Sequence, residues 1–265
     1  MVSISHTFAI CAYKDSPYLE KCVRSVLNQK IHSEVIICTS TPSDYISNIA
    51  DKYDIPVLVR NGKSDIKDDW NYAYNSATTK WVTVAHQDDV YASTYSLYLW
   101  KKIKNNKNNN LIFFTDYYPL KNDIENGIRR DANSVIRRIL RSPMKIGLMS
   151  SNVFFKRAIL AFGNSICCPT VTYNKELLDD SVFSSDLKFD IDWDTFLKLA
   201  EKKGRFLYKD KPLVLYRIHD GATSKEFIDN HSRIIEDRIM FGKFYPPILV
   251  NLIMFFYKLA YKTYG

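Results

Sequence analysis

Residues 82–91 read VTVAHQDDVY, an apolar, β-prone run that closes on two adjacent carboxylates, Asp88 and Asp89. Like charges on neighbouring residues repel unless both face water or both serve one cation. Mg2+ and Mn2+ take hard oxygen ligands, and one or two carboxylates suffice when phosphates fill the other positions. In that chemistry Asp89 ligates the metal and Asp88 hydrogen-bonds a ribose. The competing role is structural, with either acid capping the helix expected over residues 95–102.

The elements before this pair decide where it stands. Residues 7–13 (TFAICAY) form an apolar run of strand length. Ser16 and Pro17 read as a helix cap and first-turn proline, followed by Leu19, Cys22, Val23, Val26 and Leu27 at helical spacing. Residues 34–39 (EVIICT) are a second buried strand, and Pro42-Ser43 opens a helix to about Lys52. Strands over residues 57–60 and 81–85 flank a helix over residues 69–77. This alternation predicts a parallel sheet with helices on both faces. Ligands of such sheets bind at the carboxyl ends of the strands, and Asp88 and Asp89 lie at one of them. A further strand over residues 111–115 ends in Asp116, and short strands are expected over 206–208 and 213–216.

Several phosphate-binding devices are excluded. Asn61-Gly62-Lys63-Ser64 has the tail of a P-loop, but Val57 occupies the position of its first glycine. No GxGxxG follows the first strand, where the turn reads Ala12-Tyr13-Lys14-Asp15, and GxSxG and HExxH are missing too. A diphosphate held here therefore needs a cation. The five cysteines show no CxxC pair and no metal-ligand spacing, as in a reduced, cytosolic compartment. The N-terminus lacks the pattern of a signal peptide. The formal charge of +8 suits an anionic partner, yet no nucleic-acid module is recognisable, so no nucleic-acid partner is expected. Residues 129–145 concentrate six cations, Arg129, Arg130, Arg137, Arg138, Arg141 and Lys145, against Asp131 alone. They read either as a phosphate-facing surface or as a solvated helix face.

Three blocks carry a family resemblance: FAICAYKDSPYLEKCVRSVLNQ (residues 8–29), DWNYAYNSATTKWVTVAHQDD (69–89) and FDIDWDTFLKLAEKKGRFLYKDKPLVLYRIHDGATS (189–224). In this order and spacing the chain resembles the family 2 glycosyltransferases. The resemblance implies the GT-A fold: α/β, with a Rossmann-like, mostly parallel central sheet, helices on both faces, and here a helical C-terminal extension. It divides the chain into a domain over residues 1–224 and a segment over 225–265. Within the domain, residues 1–116 form the nucleotide-sugar-binding half and 117–224 the acceptor-binding and catalytic half.

The resemblance also implies site roles. Ala12 and Tyr13 hold the base and ribose, Asp88 the nucleoside, and Asp89 the metal, Mn2+ or Mg2+. Asp192, in DIDWD, matches the catalytic base, with capping of the helix over residues 195–201 as its structural alternative and Asp194 as a rival for both roles. His219, in YRIHDGATS, matches a metal ligand of some relatives. Where many members carry a uracil-reading acid, this chain has Cys38-Thr39-Ser40-Thr41. Thr39 can still hydrogen-bond a pyrimidine, which leaves UDP- and dTDP-sugars open. Trp70 stands where many members carry an arginine, ahead of Asn71, and Asp69 and Asn71 remain candidates to face the donor.

The activity implied is inverting transfer from a nucleotide-sugar to a glycan, plausibly lipid-pyrophosphate-linked, in surface polysaccharide assembly. Residues 248–261 are apolar except for Asn251 and Lys258, too short to span a bilayer. They fit either an interfacial helix or one packed on protein. With the basic residues 129–145 they suggest a cytoplasmic enzyme, peripheral on the inner face of the cell membrane. The rival classes are a sugar-phosphate nucleotidyltransferase and a catalytically silent sugar-binding domain of the same fold.

Overall fold

Alternate residues of the first strand, β1 (His6–Ala12), pack on opposite faces of a sheet. Phe8, Ile10 and Ala12 join one hydrophobic cluster, and Ala9 joins the other. In a computed structural model, residues 4–106, 109–121, 124–125, 132–219 and 232–261 are described. Arg129, Arg130 and residues 220–224 of the third matched block lie outside them.

The strands that follow are β2 (Glu34–Thr39), β3 (Val57–Val59), β4 (Trp81–His86), β5 (Val90–Tyr91), β6 (Asn110–Lys121), β7 (Ile124–Glu125), β8 (Thr172–Asn174) and β9 (Arg205–Ile218). They form one sheet in the order β3-β2-β1-β4-β8-β6-β9-β5, with β7 paired to β6. The β1, β2, β3 and β4 pairings are parallel, as the strand-helix alternation requires. Antiparallel β8 then joins β4 to β6, which runs parallel to β9.

Helices α1 (Leu19–Leu27), α2 (Asp44–Tyr53) and α4 (Tyr95–Asn105) cover one face through Leu19, Val23, Ile46, Ile49, Tyr95 and Leu99. The other face receives α3 (Ile66–Ser76) and α8 (Ile191–Glu201), through Tyr74, Trp193 and Phe196. Each such side chain, fully buried, stabilises the fold by about 1.5–3 kcal/mol. Between these elements lie α5 (Ala132–Arg141), α6 (Gly147–Ser151) and α7 (Val153–Ala158).

Two helices close the chain, α9 (Ser232–Gly242) and α10 (Pro247–Tyr261). α10 buries Val250 and Met254 in the core that holds Trp193 and Phe241. Its Tyr257 hydroxyl donates to the Phe162 carbonyl at 3.2 Å. Gly163 (φ 113°) makes this approach feasible, because a Cβ there would lie 2.3 Å from that hydroxyl. The helix is thus docked on the protein while Ile248, Leu252, Phe255 and Phe256 stay exposed. No helix among the described residues is long and apolar enough to cross a membrane.

Some boundaries differ from the sequence expectation for physical reasons. β9 is one 14-residue strand rather than two short ones, because its pairing with β6 continues across a register shift where Asp116 meets Pro212. Such irregularities accommodate a strand proline, which lacks an N–H to donate. β6 likewise runs past Asp116 instead of ending there. Thr94, not Asp88 or Asp89, occupies the N-cap position of α4.

The basic segment is corrected in part. Arg138 and Arg141 both pair with buried Asp116, at 3.2 and 2.8 Å, and Lys145 pairs with Asp210 at 2.7 Å. Arg141 and Asp116 are thus paired inside the fold, whereas Arg138 and Lys145 meet their carboxylates at the surface. Asp116 also accepts from Tyr208. Removing one partner of a buried ion pair leaves an uncompensated charge, costing about 3–5 kcal/mol. Asp116→Ala is therefore expected to lower the unfolding free energy by that order and the thermal midpoint with it, with Arg141→Met restoring part of the loss. A midpoint unchanged in Asp116→Ala would refute the role given to this network.

Candidate active site

The loop after β4 is fastened from three sides. Gln87 accepts from the Tyr13 backbone N–H at 2.9 Å and donates to the Tyr13 carbonyl at 3.0 Å. This locks the end of β1 to the end of β4 while the Tyr13 ring stays 45% exposed. Ser16, expected as a helix cap, accepts the Tyr18 N–H at 3.4 Å ahead of α1 and also donates its hydroxyl to Asp88 Oδ1 at 2.8 Å. Arg217, near the end of β9, donates its backbone N–H to Asp89 Oδ1 (2.9 Å) and its Nε–H to the Asp88 carbonyl (2.8 Å). Its guanidinium lies 4.0 Å from the centre of the Tyr18 ring.

These contacts divide the two acids differently from the sequence expectation. Asp89 is 1% exposed, and its Oδ2 finds no hydrogen-bond donor among the described residues. Burial pushes its carboxyl well above the ordinary range, against the pull of the Arg217 backbone N–H. The nearby His86 is held neutral, since burial lowers its pKa to about 4. Asp88 is the accessible acid, and its Oδ2 lies 3.2 Å from His219 Nε2. The structure therefore brings His219 to Asp88 rather than to Asp89. Among the described residues no cluster of three or more His, Cys, Asp or Glu side chains gathers to hold a metal.

The other candidates sort by what occupies them. Ala12 ends β1, 5% exposed, and its neighbour Tyr13 offers the free ring. Thr39 is 3% exposed, and its Oγ1 accepts the Thr41 N–H, so it organises the loop after β2. Asp69 accepts from Arg60 Nε (2.7 Å), Ser40 (3.0 Å) and Ser64 (2.8 Å). Asn71 is committed at both ends of its amide, donating to the Phe183 carbonyl and accepting from the Phe183 N–H. It therefore clamps the 183 loop instead of facing a donor. Trp70, beside it, stacks on His86 with ring centres 5.0 Å apart.

Asp192 lies in the first turn of α8, where the helix N-terminus favours a carboxylate. The Trp193 N–H donates to its Oδ1 and the Asn164 amide to its Oδ2, each at 2.8 Å. Burial still lifts its pKa to about 6, close to what a general base needs at neutral pH. Asp194, its rival, is spent in ion pairs with Lys198 (2.9 Å) and Lys243. Hydrogen bonds from Lys243, Lys198 and Ser185 outweigh burial there and lower its pKa. Burial also raises the Cys167 thiol, and the charges of both Asp89 and Asp192 add to that shift. One thiol is thus within range of both acids, although they are far apart in sequence.

Sequence reasoning missed Ser16, Gln87, Asn164 and Arg217 as supports. Arg217 had a readable signal, two residues before His219 in the same block. Asn164 had none, because its importance comes only from where the chain returns to α8.

The sheet edge after β4 thus carries Asp88 beside His219, and Asp192 stands in the first turn of α8. Residues 7–166 match the Glycosyl transferase family 2 profile, and the chain belongs to that family of glycosyltransferases. No curated protein sequence matches it significantly. Among solved structures it is similar to S. aureus TarS 1-349 in complex with UDP-GlcNAc, at 14% identity and TM-score 0.65, covering 95% of this chain and 70% of that one. It is also similar to the mannosyltransferase PcManGT from Pyrobaculum calidifontis in complex with GDP-Man and Mn2+, at 15% identity and TM-score 0.64, covering 95% and 68%. Glucosyl-3-phosphoglycerate synthase from Mycobacterium tuberculosis, in complex with phosphoglyceric acid, follows at 11% identity and TM-score 0.52, covering 90% and 79%. These likenesses establish the GT-A fold, and family membership sets aside the nucleotidyltransferase alternative.

A base accepts a proton only when ionised, so donor turnover should fall as pH drops through about 6, where Asp192 protonates. A rate profile flat from pH 7 to pH 5 would contradict this placement of the base.

Proposed function

We propose that the chain is a metal-dependent, inverting glycosyltransferase that moves a sugar from a UDP- or dTDP-sugar to a glycan acceptor. The observation that carries this reading is the placement of the Asp88–His219 pair at the ends of β4 and β9, with Asp192 as a separate, ionisable base. Asp88 and His219 fit Mn2+ or Mg2+: an oxygen and an imidazole nitrogen converge, both partly exposed, and leave other positions for a diphosphate. This moves the metal contact expected of Asp89 to Asp88, and leaves Asp89 to hold the loop through Arg217. The cation, when bound, supplies positive charge for the departing nucleoside diphosphate.

The chain's own residues do the rest. The exposed Tyr13 ring offers a flat surface for the base, next to the loop that Thr39 and Thr41 brace. Asp192 takes the proton of the acceptor hydroxyl as its oxygen bonds to the anomeric carbon and the bond to the diphosphate breaks. Asn164 and the Trp193 N–H hold that carboxylate in one orientation, so it is aimed before substrate arrives.

UDP-, dTDP- and GDP-sugars should be screened with Mn2+, Mg2+ or EDTA by thermal shift and nucleotide release. Asp192→Asn is expected to abolish transfer yet keep metal-dependent nucleotide binding, whereas Asp88→Asn loses both. If no sugar nucleotide stabilises the protein and EDTA changes nothing, the reading fails.

The acceptor side of the proposal is a lipid-pyrophosphate-linked glycan, used in surface polysaccharide assembly at the inner face of the cell membrane. Its support is the outer face of α10, where Ile248 is 82% exposed and Phe255 and Phe256 are each 60% exposed. Replacing Phe255 and Phe256 with Ser should reduce co-sedimentation with anionic vesicles several-fold and leave the unfolding midpoint in place. Equal sedimentation of the variant would remove the membrane from the proposal.

A further inference from the structure

Helix α5 carries three described arginines, and their fates differ. Arg138 and Arg141 are both neutralised by Asp116. Arg137 makes no ion pair with any described carboxylate. Its Nη1 donates to the Tyr117 hydroxyl at 2.6 Å, which uses one of the five N–H groups of the guanidinium.

The helix is oriented by its last turn. Arg137 and Arg141 stand four residues apart and therefore share a face. Arg141 donates to the Ser165 carbonyl. Ser165 follows Asn164, whose amide holds Asp192 Oδ2. The face that docks through Arg141 thus brings Arg137 towards the base. The electrostatics agree, since the Arg137 charge acts on both Asp192 and Cys167, and Cys167 also feels Asp89. Among the described residues Arg137 has one side-chain hydrogen bond, to Tyr117, and none of its remaining N–H groups is both buried and unpartnered, so they are open to solvent or to an anion that fits the planar fork.

We propose that Arg137 is the acceptor-anion site of this enzyme: its guanidinium binds a phosphate group of the acceptor beside the hydroxyl that Asp192 deprotonates. This rests on the glycosyltransferase reading and deepens it, by naming the residue that holds the acceptor's phosphate. Tyr117 positions the guanidinium from the sheet side through its hydroxyl. The phosphate belongs either to a soluble phosphoester or to a lipid head group, which share the same chemistry towards a planar fork.

The test is calorimetric titration of the full chain, first with UDP, dTDP and GDP in the presence of Mn2+, then of the nucleotide-loaded protein with sn-glycerol 3-phosphate and with glycerol. A parallel arm uses phosphatidylcholine vesicles with and without phosphatidylglycerol. The native protein should bind glycerol 3-phosphate in preference to glycerol, or the phosphatidylglycerol vesicles in preference to the neutral ones. The arm that responds identifies the source of the phosphate. Arg137→Gln should weaken that binding about tenfold, with Arg137→Lys between the two, while nucleotide affinity stays within about twofold.

Three outcomes would overturn the proposal. Neither phosphate probe is preferred over its neutral counterpart, or Arg137→Gln binds the probe as well as the native protein does. Alternatively, Arg137→Gln weakens nucleotide binding as much as probe binding, which assigns the guanidinium to the donor diphosphate. Absence of any nucleotide binding by the native protein would instead refute the glycosyltransferase reading, and this inference with it.

Discussion

The contact on which the site depends is the one between Arg217 and the two acids after β4. One residue binds the Asp89 carboxylate through its backbone N–H and the Asp88 carbonyl through its side chain. A buried carboxylate is costly unless hydrogen-bonded, and Asp89 accepts that cost because its partner is the backbone of β9 itself. The bond fixes the end of β9 against the end of β4. His219, two residues further on, is thereby delivered to Asp88. Repulsion between the adjacent acids is relieved by separation, with one turned inward to the backbone and the other outward to the histidine.

Charge in this protein is mostly assigned internally. A net charge of +8 suggests a broad cationic surface, yet Asp116 alone absorbs two arginines of the basic segment. The site follows the same economy. Neutral His86 stacks on Trp70 in the wall of the cleft, so that wall adds no positive charge at neutral pH.

The first half of the fold was legible because its signals are local. Short apolar runs, helical spacing and their alternation predicted β1 to β4 to within a few residues, and the sheet argument placed Asp88 and Asp89 at a ligand-binding edge. The second half was less legible because its order comes from pairing over long distances. β8 is only three residues long and owes its existence to β4 and β6 on either side. The two short strands expected over 206–208 and 213–216 are one, because the register shift at Pro212 lets the pairing with β6 continue. Residue types marked the two acids but not their contacts. Nothing local shows that Asp89 turns to the Arg217 backbone while Asp88 meets His219, because both contacts come from the arrival of β9. Asn71 and Thr39 carry groups that suit a ligand, and the fold uses them as clamps.

The sequence separation of that decisive contact has a consequence for how the molecule comes into being. Asp89 and Arg217 are 128 residues apart, and β6 and β9 pair in parallel across a comparable gap. The early strands can assemble from nearby sequence, but closing so long a loop is slow and entropically costly. During synthesis Asp88 can meet Ser16 early, but Asp89 lacks its Arg217 partner and Asp88 its histidine until nearly the whole domain has emerged. The chain therefore has a framework long before it has a site, and binding competence is the last property that folding confers.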